Sequence, residues 1–147
     1  MTLRVALLGY GLAGRVFHGP LITAEPGLDL AAIVTSNAER RDQAAADHPD
    51  ALLLASVDDV WDRAEEFDLV VIATANAAHV PQATAALEHG LHVVVDKPLA
   101  ATAAEAQALV DLAAAQARQL HVFQNRRWDS EILTARRAIT DGVLGRP

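Results

Sequence analysis

The chain contains no cysteine among its 147 residues, which excludes disulfides, thiolate metal sites and cysteine nucleophiles and fits a cytoplasmic location. Basic residues are in short supply: 12 lysines and arginines face 19 acids, for a net charge of −7. That balance argues against general nucleic-acid binding, which needs a basic face to displace counterions. No apolar run approaches the ~20 residues that cross a bilayer, and Met1–Gly9 is too short for a signal peptide. Internal repeats, linkers and low-complexity tracts beyond the alanines are also missing. Lysine is the scarcest charge, with one, Lys97, against eleven arginines. An Ala/Arg bias of this kind matches a GC-rich bacterial genome, in which arginine replaces lysine wherever charge alone matters. A lone lysine there is a candidate for chemistry, with chance survival as the alternative. What is present is hydrophobic residue, 52% of the chain, enough to bury the core of one compact domain.

Short β-branched runs alternate with amphipathic stretches, which predicts βαβ units and a doubly wound parallel sheet of α/β class. The expected strands are Leu3–Leu8, Leu28–Thr35, Leu52–Leu54, Leu69–Ala73, Leu91–Val95 and His121–Gln124. The first, fourth and fifth are apolar almost throughout, as strands covered on both faces are. Between them, Ser36 to Glu39 reads as a capping box for a helix over Arg40–Asp47. Ser56 to Asp59 opens a short helix with acids in its first turn. Ala77–His89 closes on Gly90, Thr102 to Glu105 caps a helix reaching about Gln119, and Trp128–Asp141 is helical. Pro49, Pro81 and Pro98 are placed at element edges, whereas Pro20 should kink or restart the first helix.

Gly9-Tyr-Gly11-Leu-Ala-Gly14 follows the first strand and opens a helix, the setting a dinucleotide fingerprint requires. Gly9 permits the tight turn, Gly11 admits a pyrophosphate close to the backbone, and Gly14 lets helix and strand pack. Leu12 and Ala13 lie between them, where free helix-end amides face the anion. An NAD site usually has an acid about 20 residues further on, against the ribose 2′-hydroxyl. Here Thr35, Ser36 and Asn37 occupy that strand end, followed by Arg40 and Arg41. Hydroxyls, amides and guanidinium accept a 2′-phosphate that a carboxylate would repel, so NADP is expected over NAD. The alternative is that Ser36 only caps and the arginines form a solvated face.

Thr74, Asn76 and His79 follow the fourth strand, and Asp96-Lys97-Pro98 follows the fifth, both at the edge where open α/β sheets bind ligands. Together with GYGLAGRVFHGPLI and FQNRRWDSE, the segment TANAAHVPQATAALEHGLHVVVDKPLA resembles the Gfo/Idh/MocA family of dinucleotide-dependent oxidoreductases. The first and last segments are most similar to its NADP-linked polyol and inositol dehydrogenases. The resemblance implies that Lys97 is the catalytic residue, near the nicotinamide and the reacting carbon, where an ammonium polarises a carbonyl. A salt bridge to Asp96 or to a helix end is the alternative. It also implies that Thr74, Asn76 and His79 border the nicotinamide riboside, and that Asp96, Arg126 and Trp128 lie at the nicotinamide end. His79 as a surface or capping histidine, and Trp128 as a packing residue, remain open.

Two positions depart from the family pattern: Asp96 stands where Glu is usual, and Ala75 where Pro is usual. His89 and His92 span a helix end and a new strand with no converging acid, so no metal site is read. The resemblance further implies a second α/β domain carrying most substrate contacts. Residues 1–124 are therefore expected to be the dinucleotide-binding domain, and 125–147 a connecting helix leading into a missing half, with the chain a fragment. The expected partners are a small polyol or sugar and further copies of the chain, with no nucleic acid and no membrane. A non-catalytic NADP-binding regulator is the competing function.

Overall fold

The computed structural model describes residues 2–145. Six strands form one parallel sheet in the order β3-β2-β1-β4-β5-β6. They are β1 (Leu3–Leu8), β2 (Leu28–Val34), β3 (Leu52–Leu54), β4 (Leu69–Ile72), β5 (His92–Asp96) and β6 (Leu120–Phe123). The expected doubly wound architecture is borne out, with strand ends shifted by at most one residue. The strands expected to be covered on both faces, β1, β4 and β5, lie inside the sheet, between β2 and β6. Side chains alternate between two layers: Ala6, Leu8, Val70, Ile72, Val93 and Val95 pack on one face, and Val5, Leu7, Ile33 and Val71 on the other.

The helices are α1 (Gly19–Ala24), α2 (Ala38–Asp47), α3 (Asp58–Trp61), α4 (Asn76–Glu88), α5 (Ala103–Ala115) and α6 (Ser130–Thr140). Ahead of α1, residues Ala13–His18 wind as a π-helix, and the Gly19 amide donates to the Gly14 carbonyl. Pro20 then occupies the first turn of α1, so the helix restarts where its missing N–H is harmless.

Four local expectations need correction. The capping box at Ser36 does not form. Asn37 is the cap of α2, its side chain accepting from the Arg40 amide at 2.9 Å, while Glu39 accepts from Gln43 one turn on. Two good capping residues are adjacent in sequence, and the one nearer the helix takes the role. Pro81 lies inside α4, not at its edge. The carbonyl it leaves without an amide partner belongs to Ala77, which is exposed, so water reaches it. Helix α5 stops at Ala115 because Ala117 turns left-handed at φ 52°. The Arg118 amide then returns to the Ala113 carbonyl, a closure that usually employs glycine. Finally, Asn125–Trp128 is a 3₁₀ turn and α6 begins at Ser130.

Register fixes where the site lies. Leu8 of β1 pairs with Val34 of β2 and with Ile72 of β4, so Gly9, Thr35 and Ala73 emerge side by side. Asp96 ends β5 opposite Phe123 of β6. Chain order reverses between β1 and β4, and at that switch point the loops diverge and leave a crevice.

Candidate functional site

Gly9 adopts φ +96°, and a methyl group added there would lie 2.6 Å from the Ala73 carbonyl oxygen. One on Gly14 would run into the Gly9 carbonyl. Both glycines therefore hold the turn tight against β4. Gly11 differs: the nearest atom to an added methyl is the Arg40 guanidinium, 3.7 Å away. Its bare backbone leaves a cradle open to a ligand, with a cation across the opening.

That opening belongs to a cleft of about 620 Å³ lined by the glycine turn, Thr35, Ser36, Asn37, Arg40 and Thr74. Leu12 and Ala13 line it as well. None of its lining residues is acidic. Ala55, Ser56 and Val57, from the loop after β3, complete the wall. Ser56, expected as a helix start, takes that role as well: its amide and hydroxyl donate to the Asp59 and Asp58 carboxylates. The three-residue β3 gave too weak a signal to bring that loop to the site. Arg41 lies outside this cleft. Its guanidinium donates to the Leu53 carbonyl at 3.1 Å, because successive residues on a helix point about 100° apart.

A second cleft of about 730 Å³ lies on the other side of Leu12 and Ala13, which line both. It is lined by Asp96, Lys97, Arg126 and the apolar Phe17, Phe123 and Ile132. Asp96 accepts from the Lys97 amide at 2.8 Å, and Arg126 is held by Asp129, also at 2.8 Å. Trp128 lines a neighbouring groove with Leu21 and Phe123 and is 70% exposed. Asn76 stands exposed at the start of α4 and lines neither cleft. Thr74 donates its hydroxyl to Gln82 at 2.6 Å. His79 is buried, with both ring nitrogens on backbone carbonyls.

Two titratable groups beside the site were not singled out from sequence. Tyr10, buried within the glycine turn, donates to Asp47 at 2.9 Å, and Arg15 donates to the same oxygen. Burial, and then the bond to Asp47, push the phenol up to about 12. The same bonds hold the Asp47 carboxyl below its usual value. The cluster ties the turn to the far end of α2, whose first turn carries Arg40. His18 in the π-helix is buried with its Nε2 unpartnered, and its ring packs on Phe123 at 4.2 Å. Burial lowers its pKa, opposed by the nearby Asp96. The motif GYGLAGRVFHGPLI contains both residues, but neither burial nor partner is visible in a string. His89 and His92 act apart: one bonds the Ala85 carbonyl, the other accepts from the Gln119 amide. Among the described residues no three metal-ligating side chains converge, and no helix is long and apolar enough to cross a membrane.

Residues 3–124 match the model of the Gfo/Idh/MocA oxidoreductase family, NAD-binding Rossmann fold. The uncharacterized oxidoreductase YdgJ of Escherichia coli is 44% identical over 98% of this chain and 40% of its own length. Scyllo-inositol 2-dehydrogenase (NADP(+)) IolW of Bacillus subtilis is 36% identical over 97% of this chain and 39% of its own. The crystal structure of an NAD-binding protein from Listeria innocua superposes with a TM-score of 0.91 at 32% identity, covering 99% of this chain and 42% of that one. The chain thus spans about 40% of the length of the relatives it matches. With a six-stranded Rossmann sheet, a glycine turn at its switch point and this match over most of its length, the chain belongs to the Gfo/Idh/MocA oxidoreductase family and carries its nucleotide-binding fold.

Proposed function

We propose that the chain is the coenzyme-holding part of an NADP-dependent dehydrogenase that moves hydride between nicotinamide and a CH–OH carbon of an inositol, polyol or sugar. The observation that carries this reading is the acid-free cleft in which the Arg40 guanidinium faces Gly11 beside Thr35, Ser36 and Asn37. A 2′-phosphate there would gain charge-assisted hydrogen bonds, each contributing about 1.5–3 kcal/mol. The open Gly11 cradle fits a pyrophosphate, and the second cleft fits the nicotinamide end. In this reading residues 1–124 form the nucleotide-binding domain and 125–147 lead toward a substrate domain. IolW, named for NADP(+) and scyllo-inositol, supports coenzyme and substrate class alike. A dehydrogenase from Bordetella pertussis at 25% identity was crystallised with NADH and UDP-GlcNAcA, so NAD is the competing coenzyme.

When bound, the coenzyme would supply or accept the hydride. Lys97, exposed in the second cleft, would then direct its ammonium at the substrate oxygen, donating to a carbonyl and polarising it, or stabilising the alkoxide of a deprotonated alcohol. Asp96 keeps the lysine backbone in place through its amide. Phe17, Phe123 and Ile132 would supply an apolar wall beside the reacting carbon.

Titration of NADPH and NADH by nicotinamide fluorescence tests the reading. NADPH is expected to bind at least about tenfold more tightly, and Ser36→Asp to reverse the order by placing a repelling carboxylate beside the phosphate. Tighter binding of NADH by the unaltered chain, or no binding of either, would overturn it.

A further inference from the structure

Helix α4 places His79 on its first turn, 1% exposed, so the side chain has no surface left to offer a ligand. Its two nitrogens reach in different directions. Nδ1 lies 2.7 Å from the carbonyl oxygen of Pro98 and Nε2 lies 3.2 Å from that of Thr74. Both partners are acceptors only. A neutral ring has a single N–H, which the shorter contact assigns to Nδ1, whereas a protonated ring would donate to both. The two carbonyls belong to the loops that follow β4 and β5. The first carries Thr74 and leads into Asn76 at the start of α4, and the second runs on from Asp96, the last residue of β5, through Lys97.

The β5 loop has little else to fix it near Lys97. Lys97 and Pro98 are both exposed, and the Lys97 amide bonds only the adjacent Asp96 carboxylate. Farther on, the Thr102–Glu105 capping box anchors the start of α5, and Leu99 packs against the core. The Pro98 carbonyl, on the residue after Lys97, has a partner on another element, and that partner is His79.

We propose that His79 is a positioning residue. It pins the Asp96–Pro98 loop to the Thr74 loop across the sheet edge and thereby sets where Lys97 stands over the second cleft, without touching the coenzyme. This rests on the reading of the two clefts as the adenosine and nicotinamide ends of one NADP site. Supporting groups of this kind, once removed, leave the reactive group present but misplaced. The adenosine end is built mainly from the β1, β2 and β3 loops, with Thr74 also in its lining, and the bond to the Pro98 carbonyl reaches none of these residues.

The test compares two probes on the 147-residue chain: NADPH, and 2′-phospho-ADP-ribose, which is the same molecule without nicotinamide. Two polar variants separate the nitrogens. His79→Asn keeps a donor at the Nδ1 position, and His79→Gln keeps one only at Nε2. Calorimetry is expected to show NADPH affinity about tenfold weaker in His79→Gln, nearer the unaltered value in His79→Asn, and 2′-phospho-ADP-ribose within about twofold in both. Amide exchange at Lys97 and Leu99 should quicken in His79→Gln and not in His79→Asn, while exchange at Ser36 stays constant. Equal changes for both probes, unchanged NADPH binding, or no difference between the variants would overturn the proposal and leave the NADP reading intact. Failure of the unaltered chain to bind either probe would overturn both.

Discussion

At Gly11 an added methyl group would meet nothing closer than the Arg40 guanidinium, whereas at Gly14 it would strike the Gly9 carbonyl. The two glycines of one motif therefore answer to different demands, one to a ligand and one to packing. Gly11→Ala is expected to leave the thermal midpoint unchanged and weaken NADPH binding by about tenfold or more, because the methyl fills the pyrophosphate cradle. Gly14→Ala is expected to lower stability by about 3 kcal/mol in chemical unfolding, since backbone must move to relieve the overlap. Both effects on binding and folding are separable by running calorimetry and urea titration on the same samples. The motif itself was legible in the sequence because its residue types and its strand-to-helix context are local. The split between Arg40 and Arg41 was not. Adjacent arginines look alike in a string, and only the helix phase sends one to the cleft and the other to the Leu53 carbonyl.

The element scale holds the pH response. Tyr10 links the glycine turn to the end of α2 through Asp47. His18 sits buried in the π-helix, and His48 follows α2. In the folded chain His18 and His48 lie below 6.5 and Asp47 below 3.8, the histidines chiefly through burial and Asp47 through its bonds to Tyr10 and Arg15. The unfolded chain consequently binds more protons as pH falls below each of those values, and stability declines with acid. Tyr10 is raised from 10.0 to about 12, so the folded chain binds more protons in that interval and stability declines there too. The thermal midpoint is expected to be highest between about pH 7 and 10 and to drop on both sides. His18→Phe should flatten the first part of the acid limb. Tyr10 is the single tyrosine, so tyrosinate absorbance reads its titration directly. Elements were legible where the pattern was long: the apolar strands and the Thr102 capping box. They were misjudged at ends, where competing caps, a left-handed alanine or one proline depend on which surface faces water.

For the whole molecule, the sheet and its two packed layers account for the core, while α6 buries none of its residues. Ile132, Leu133 and Ile139 on that helix are each more than two-fifths exposed, and Trp128 beside it 70%. Apolar groups displayed together in this way favour association. Replacing Ile139 and Leu133 with glutamate is expected to change stability by less than about 0.5 kcal/mol and to reduce concentration-dependent light scattering. Scattering that is absent from the unaltered chain, or equal in the variant, would contradict this. The order of the strands has a further consequence. Strand β1 is made before both of its neighbours and ends up between them, with β2 on one side and β4, beginning at Leu69, on the other. During synthesis half of its amides and carbonyls must wait, solvated, for partners 64 residues further along the chain, as from Leu8 to Ile72. The glycine turn at its tip, which needs Ala73 as a backstop, acquires its shape only then. Coenzyme therefore cannot assist the early steps of folding and can stabilise only a chain that is already closed.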